Sequence, residues 1–264
     1  SAFQESAQKY NNSDVGKLIP FSAFFDPIDS FLDSNISRVI SNAKNNRNLE
    51  DYDIEVFKLL FLIRYIQGLP GNIENLTTLM ISDIDEEKIA LKEKIKGSLK
   101  RLLKETVIQK NGNEYFFLTN AEQDINKEIK NTNIDISQVL QETGDIIFEE
   151  IYNNRKFRYN SEYDFSFNQM VDEKTRGRQN EDIGIRILTP YYGEVSDSQL
   201  LLESNGENNV ILKLPNNTEF IEELEKSLKI EKYLRKRSTS KMSDTIDDII
   251  SRIQREQHDR KKRV

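Results

Sequence analysis

The chain has 264 residues, enough for two modest domains or one large one, and its 36% apolar content is low but compatible with folded cores. Thirty-eight basic residues stand against 45 acidic ones for a net charge of −7, which excludes a polybasic molecule and confines any nucleic-acid role to a local patch. The lack of cysteine excludes disulfides and thiol chemistry, and the single histidine, His258, excludes Ser-His, Cys-His and histidine-metal sites.

Ser1 to Tyr10 reads as a helix, and the opening lacks the basic and apolar regions of a signal peptide. No apolar run reaches membrane-spanning length, so no membrane partner and a cytoplasmic location are expected. Asp26 at an N-cap with Pro27 in the first turn starts a helix in which Ile28, Phe31, Leu32, Val39 and Ile40 keep helical spacing to about Ala43. The polar run Lys44 to Asn48 closes a first helical segment, residues 1–48.

Residues 49–133 read as a winged-helix domain. Tyr52 to Gln67 has Val56, Leu59, Leu60, Ile63 and Ile66 at three- and four-residue steps, and Gly68-Leu69-Pro70-Gly71 stops it. Asn75 caps a short helix from Leu76 to about Ile81. Asp85-Glu86-Glu87 then puts acid in the first turn of a helix whose Ile89, Ile95, Leu99, Leu102 and Leu103 turn to a core. After Val107-Ile108, Asn111-Gly112 is type I′ turn chemistry, and Tyr115 to Leu118 is the returning strand. Asn120 caps a fourth helix that runs to about Lys130.

Residues 134–234 read as a small mixed α/β module. A helix spans Ser137 to Tyr152, with Val139, Leu140, Ile146, Ile147 and Ile151 inward. Strands over Lys156 to Tyr159, Phe165 to Val171, Gly184 to Leu188, Leu200 to Glu203 and Val210 to Leu214 are expected to pair into one sheet. In this reading Ser204 to Asn209 turns the last two into a hairpin, and Asp172 to Asp182 is a charged loop. Thr218 opens a further helix. Residues 235–264 form a basic C-terminal helix, with a polar hinge over Lys236 to Lys241, a cap at Ser243 and a stripe of Ile246, Ile249, Ile250 and Ile253. That stripe needs a partner surface, so it should fold back, pair with a second copy or fray beyond about Arg255. The fold class expected is α+β and helix-rich.

The chemistry is sparse. No G-x-x-x-x-G-K-[ST] is present, Gly16-Lys17-Leu18 being the nearest scrap, so neither ATP nor magnesium has a site in this sequence. Asp247-Asp248 and Glu149-Glu150 are adjacent on helices and splay onto different faces, which makes no acid-base pair. Lys92, Lys96, Lys100 and Lys104 fall four apart, a slowly drifting stripe that Arg101 and, from the wing, Lys110 could extend toward a phosphate backbone. Such a face equally suits solubility or a protein partner. From Ile230 on, eleven basic residues meet six acidic ones, clustered at Arg235-Lys236-Arg237 and Arg260-Lys261-Lys262-Arg263, for a partner or for nucleic acid. Tyr191-Tyr192-Gly193 fits a buried sheet edge better than an exposed aromatic loop.

Long runs carry a resemblance: Phe57-Lys58-Leu59-Leu60-Phe61-Leu62-Ile63-Arg64-Tyr65, Asn75 to Ile81, Asp85 to Leu91, Phe117 to Asn126 and Ile187-Leu188-Thr189-Pro190-Tyr191-Tyr192. They resemble the P-loop protein of bacteriophage exclusion (BREX) systems, the BrxC/PglY family, along essentially the whole chain. The resemblance implies an AAA+-like ATPase followed by a winged helix, acting in antiviral defence, with its nucleotide motifs N-terminal to anything in this sequence. Ser1 to Ala43 would then be the end of the ATPase lid region. The expectation is a non-catalytic middle fragment of a defence ATPase that contacts duplex DNA non-specifically, docks other BREX subunits or self-associates. Alternatives are a stand-alone winged-helix DNA-binding regulator and a pure protein-interaction scaffold.

Overall fold

The computed structural model describes residues 2–11, 13–237, 249–255 and 257–258. The described residues gather into two compact units, one of residues up to 131 with 249–252, the other of residues from 132 to 237 with 253–258. The class is α+β and rich in helix.

In the first unit α1 (Ala2–Lys9) is followed by a 3-10 turn, α2 (Phe25–Asp29) and α3 (Ser34–Lys44). The single helix expected from Asp26 to Ala43 is therefore broken. Asp33 caps α3 by accepting the Asn35 N–H at 2.7 Å, and Phe31, in the break, is 86% exposed rather than on the inner face. Val39, Ile40 and Ala43 enter the same core as the next helix, so residues 1–48 are not a segment apart from 49–131.

That helix, α4 (Asp51–Ile63), is buried nearly all round, with Val56, Phe57 and Leu59 at 0% exposure. It ends four residues before Gln67, and Ile66 lies outside on the surface. Asn72, not Asn75, caps α5 (Ile73–Leu79), accepting the Asn75 N–H at 2.9 Å. Glu87 is the N-cap of α6 (Lys88–Lys104), so the acidic triplet precedes the helix instead of filling its first turn. Its buried face is Leu91, Ile95, Ser98, Leu99 and Leu102, whereas Ile89 is 73% exposed. The end of α6 is a Schellman motif: Val107 N–H donates to the Leu102 carbonyl and Thr106 N–H to that of Leu103, with Thr106 at φ 60°.

The hairpin of β1 (Ile108–Asn111) and β2 (Glu114–Phe117) follows. Asn111 pairs with Glu114, which leaves Gly112 and Asn113 as the two loop residues, and only Gly112 has positive φ. That is the type II′ pattern, with glycine first, and not the type I′ expected of Asn-Gly. Strand β2 is gripped from its other side as well. Tyr115 N–H donates to the Gly71 carbonyl at 3.0 Å, Asn72 bridges Glu114, and a Cβ on Gly71 would sit 2.4 Å from the Tyr115 carbonyl oxygen. Thr119 rather than Asn120 caps α7 (Asn120–Lys130), in a capping box with Glu122.

The second unit opens with α8 (Ile136–Asp145), capped by Asp135 and continued by a π-helical stretch over Ile146–Ile151. The helix expected to Tyr152 is thus regular only in its first part, and Ile151 is 72% exposed. Two sheets replace the one expected. Strands β3 (Lys156–Arg158) and β4 (Asp164–Ser166) form an antiparallel hairpin. The run Phe165 to Val171 is broken at buried Phe167, and β5 (Asn168–Val171) belongs to a second sheet with β6 (Lys174–Arg176), β7 (Gly184–Leu188) and β8, in the order β6-β5-β7-β8. Part of the expected charged loop after Asp172 is therefore strand β6.

Leu200 to Glu203 is not a strand but lies inside α9 (Asp197–Glu207), and β8 (Asn209–Lys213) pairs parallel with β7. The reason is topological: neighbouring parallel strands need a crossover, which α9 supplies, and a hairpin cannot make that connection. The expected turn cluster is the end of α9, with Asn208 as its left-handed cap at φ 54°. Tyr191 and Tyr192 lie in a 3-10 turn after β7 rather than at a buried sheet edge. Helix α10 (Glu219–Arg237) runs through residue 235 without a break. Ile249 and Ile253 are buried. Ser238 to Lys241, Ser243, Ile246, Asp247-Asp248 and Arg260 to Arg263 lie outside the described residues.

Candidate functional site

The six cations expected to form one phosphate-facing stripe are sorted by the fold into three groups. Lys92 is held by Glu74 of α5, and Lys96 Nζ lies 2.6 Å from Glu93 Oε1, so each of these charges is offset locally. Arg101 turns away from the stripe: its Nε and Nη2 donate to Asp53 at 2.7 and 2.8 Å, and Nη2 reaches Glu50 at 3.1 Å. Lys100 and Lys104 are exposed without an acidic partner among the described residues, and Lys110 is exposed on β1. Four-residue steps drift by about 40° each, which is why the N-terminal part of the stripe meets α5 while its C-terminal part stays open. Lys94, outside the stripe, places its ammonium 3.8 Å from the Tyr52 ring centroid.

Arg101 was unreadable as a buried-side residue because its partner is 48 positions away. Asp53 is itself 0% exposed and accepts from Ser98 Oγ at 2.7 Å and from the Glu50 N–H at 2.9 Å. Burial pushes its carboxyl up, but the bonds from Arg101, the Glu50 backbone and Ser98 together outweigh that and leave it below the ordinary carboxylate value. A comparable clamp forms at Glu122. Arg64 binds it bidentately at 2.7 and 3.0 Å, Arg252 lies at 2.6 Å, and the Thr119 N–H donates at 2.7 Å. Burial again raises, and the Arg64 bonds with the Arg252 and Arg64 charges lower, for a net fall. Arg64 also donates to the Phe117 carbonyl at 3.0 Å, so this clamp joins α4, β2 and α7. Both clusters hold helices together through a buried carboxylate bound by arginine.

In the second unit the buried polar centre is Asp172, at the β5–β6 turn. It accepts the Thr189 N–H and Oγ1–H, each at 2.7 Å, while its own carbonyl accepts from Arg186 Nε at 2.8 Å. Burial raises the Asp172 carboxyl, and the Thr189 bonds and the Arg186 charge only partly reverse it, so its net shift is upward. Arg186 also reaches the Tyr192 hydroxyl at 3.0 Å and Glu203 at 3.3 Å. Below it the π-helical stretch helps line an apolar cavity of about 320 Å³ with Ile146, Ile147, Leu214, Phe220 and Leu224. Thr143 and Asn217 are the polar residues of its lining. Among the described residues no acidic or histidine group has the make-up to hold a metal ion.

What remains open in the first unit is the approach to α6. Val15 is fully exposed, Ile84 is 71% exposed and Ile89 73%. Ile84 N–H donates to the Gly16 carbonyl at 2.9 Å and Leu18 N–H to the Ser82 carbonyl at 3.0 Å, so Val15 and Ile84 are carried by two antiparallel stretches of chain bridged at Lys17 and Asp83. Of these, Ile89 is expected on the core face of the helix, and its exposure corrects that expectation.

The family described as the fourth domain of the BREX ATP-binding protein BrxC, with a six-stranded beta sheet, matches residues 132–264. Among the described residues that region carries its strands as a sheet of four and a hairpin of two. No solved structure matches the chain.

Proposed function

Because the chain belongs to the BrxC family of BREX phage-defence proteins, we propose that it serves as a non-catalytic portion of such an ATP-binding protein, with its first unit docking another BREX subunit. In this reading α4, α5, α6 and the β1–β2 hairpin are a winged helix, supported by their order and by the grip of Gly71 and Asn72 on β2. ATP and magnesium belong to other parts of the parent protein. No described helix is long and apolar enough to cross a membrane.

The observation that carries docking is the face at the start of α6. Its cations Lys92 and Lys96 are engaged by Glu74 and Glu93, Arg101 is committed to Asp53, and Ile84 and Ile89 stand exposed. A phosphate backbone needs free positive charge, whereas a protein partner gains by covering apolar surface. The test is mixing of the purified chain with each other BREX subunit in turn, read by co-elution on a sizing column. Ile84→Asp with Ile89→Asp is expected to abolish the complex, and an unchanged complex would overturn the assignment.

A second reading, duplex DNA contact, is favoured by exposed Lys100, Lys104 and Lys110. It predicts weak binding, roughly micromolar or poorer at physiological salt, that falls steeply as salt rises and is lost in Lys100→Glu with Lys104→Glu. A flat salt dependence would remove it. ATP turnover by the purified chain is expected to stay at background.

A further inference from the structure

The sheet order β6-β5-β7-β8 leaves two edges, and their chemistry differs. Strand β6 is short and charged at Lys174 and Arg176, with Arg176 held by Asp145 and Glu149, which is how natural sheets close an edge to further strands. Strand β8 is not closed in this way. Gly184 N–H donates to the Asn208 carbonyl and Leu214 N–H to that of Leu188, so Val210 and Leu212 turn their main-chain groups to β7, while Asn209, Ile211 and Lys213 turn theirs outward. Ser204 Oγ donates to the outward Asn209 carbonyl at 2.6 Å. The outward main-chain groups of Ile211 and Lys213 have no partner among the described residues.

Both faces beside this edge are apolar. On one, Val210 and Leu212 stand in register with Ile185 and Ile187, yet the cluster of Phe148, Val171 and Ile187 does not cover them, and they are 60% and 50% exposed. On the other lies α9, whose Glu203 bonds Arg186 of β7 and whose Ser204 bonds Asn209 of β8. At about 100° per residue, Leu201 lies roughly 60° further round the helix than Ser204, on the side away from Glu203. It is therefore carried toward the open edge, and it is 64% exposed.

A strand edge specifies its occupant more closely than an apolar patch does, because the occupant must be an extended chain with donors and acceptors at alternate residues. A second β8 supplies these through its own Ile211 and Lys213. A two-fold axis normal to the sheet pairs the strands antiparallel and sets each face beside its own copy. The register follows from what lies on the axis. Centred on Ile211, the pairing needs the Asn209 carbonyl that Ser204 already holds; centred on Lys213, it puts two ammonium groups directly opposite, which is unfavourable. Centred on Leu212, Ile211 faces Lys213 of the second copy on either side of the axis, and each such pair exchanges N–H···O bonds in both directions. The two Leu212 side chains then meet as a close pair between them.

Charge fits this register as well. Lys213 is exposed with no acidic partner among the described residues, while Asn209 Nδ2 holds Glu207 at 3.0 Å. With Ile211 opposite Lys213, Asn209 of the second copy is the diagonal neighbour and brings its Glu207 with it. The two lysines flank the axis with Glu207 of the opposite copy beyond each, so two positive charges are answered by two negative ones. We infer that β8 is the interface of a homodimer that joins two four-stranded sheets into one across a two-fold axis at Leu212. The interface uses the sheet unit alone and is independent of docking through α6.

The test is sedimentation velocity on the full chain by itself, over a series of concentrations. The mass should rise from that of the 30.9 kDa chain to twice it below about 100 µM. Leu212→Lys, at an exposed position, sets like charges on the axis, and Ile211→Pro removes an outward N–H that the ladder to β7 does not use; each should weaken the dimer by about tenfold or more. Lys213→Glu and Glu207→Lys should each weaken it alone, since either leaves charges of one sign around the axis. An equimolar mixture of those two variants should dimerise at least as well as the parent, which a merely structural role of either residue does not produce. Unfolding temperatures show whether each variant keeps its fold, and if Glu207→Lys does not, Leu212→Lys and Ile211→Pro decide. A chain that stays monomeric at about 100 µM would overturn the inference and leave the edge to a strand of another protein. A dimer that Leu212→Lys and Ile211→Pro leave intact would overturn it too, and so would folded charge variants that fail to recover on mixing.

Discussion

The two units dispose of their apolar residues in different ways. The helical unit draws Phe25, Val39, Phe57, Leu60, Leu76, Ile95, Leu102 and Phe117 into one continuous core. The sheet unit holds two small clusters, Val139, Ile146, Ile221 and Leu224 in one, Phe148, Val171 and Ile187 in the other. Meanwhile Leu201, Leu202, Val210 and Leu212 stay half or more exposed, as do Phe157, Tyr159 and Tyr163 of the β3–β4 hairpin. A helix buried on all sides, like α4, spends its apolar residues on its own unit. A sheet one layer deep with a short crossover has fewer places to put them, and the surplus becomes surface for others.

The largest test of this contrast is a pair of phenylalanines. Phe57, fully buried and stacked on Phe117 with ring centroids 4.6 Å apart, should cost about 3–5 kcal/mol when replaced by alanine, whereas exposed Phe157→Ala should stay within about 1 kcal/mol. Urea denaturation of each variant measures both. Similar losses would mean that the hairpin is packed as tightly as the helical core.

Next come the buried carboxylates. Asp53→Asn removes the charge that answers Arg101 and should cost about 2–3 kcal/mol, while Asp172→Asn, whose carboxyl is raised by burial, should cost about 1 kcal/mol or less. The two also respond to pH with opposite sign. Asp53 and Glu122 have folded values below the unfolded one, so their stabilisation is complete above the ordinary carboxylate pKa of about 4 and fades as pH falls through the lower folded values. Asp172 has a folded value above it, so its contribution is complete below about pH 4 and is lost as pH rises through the folded value. Hydrogen exchange of peptides from each unit should therefore show acid loosening the helical unit first, and Asp172→Asn should abolish only the sheet unit's decline with rising pH.

The smallest effect expected is a gain. Thr106 holds a left-handed conformation at the end of α6 where glycine is usual, and Thr106→Gly should stabilise by up to about 1 kcal/mol in thermal unfolding. A loss would show that the 9%-exposed threonine side chain packs better than its backbone strain suggests.

Legibility followed the range of the forces. Helical periodicity in α4 and α6, the β1–β2 hairpin and the strands β7 and β8 were readable because their signals lie within a few residues. Leu200-Leu201-Leu202 misled because an unbroken apolar run has no period, and the better local signal, Ser196 capping Gln199, lies before it. The helix end at Thr106 carried no glycine to announce it. The candidate stripe fared worst. Its spacing was legible, but what Lys92 and Arg101 actually face is fixed by Glu74 and Asp53, 18 and 48 residues away in sequence. Phe157, Tyr159 and Phe165 are expected within strands and Tyr163 between them, and only the tertiary fold decides which strand face is left bare.

The backbone grip of Gly71 and Asn72 on β2 has a thermodynamic consequence. A surface loop that orders only on contact gives up conformational entropy at that moment and signals it with a large negative enthalpy and a slow, structure-forming step. Strand β2 is held on both sides before any partner arrives, through β1 and through the Gly71 carbonyl. Contact through this hairpin should therefore be rapid and free of a folding phase, with a heat-capacity change no larger than the area covered requires. A residue with a side chain at position 71 would meet the Tyr115 carbonyl and push the hairpin off its mount. Its mark on any partner would then be slower association, visible even where every contacting side chain is intact.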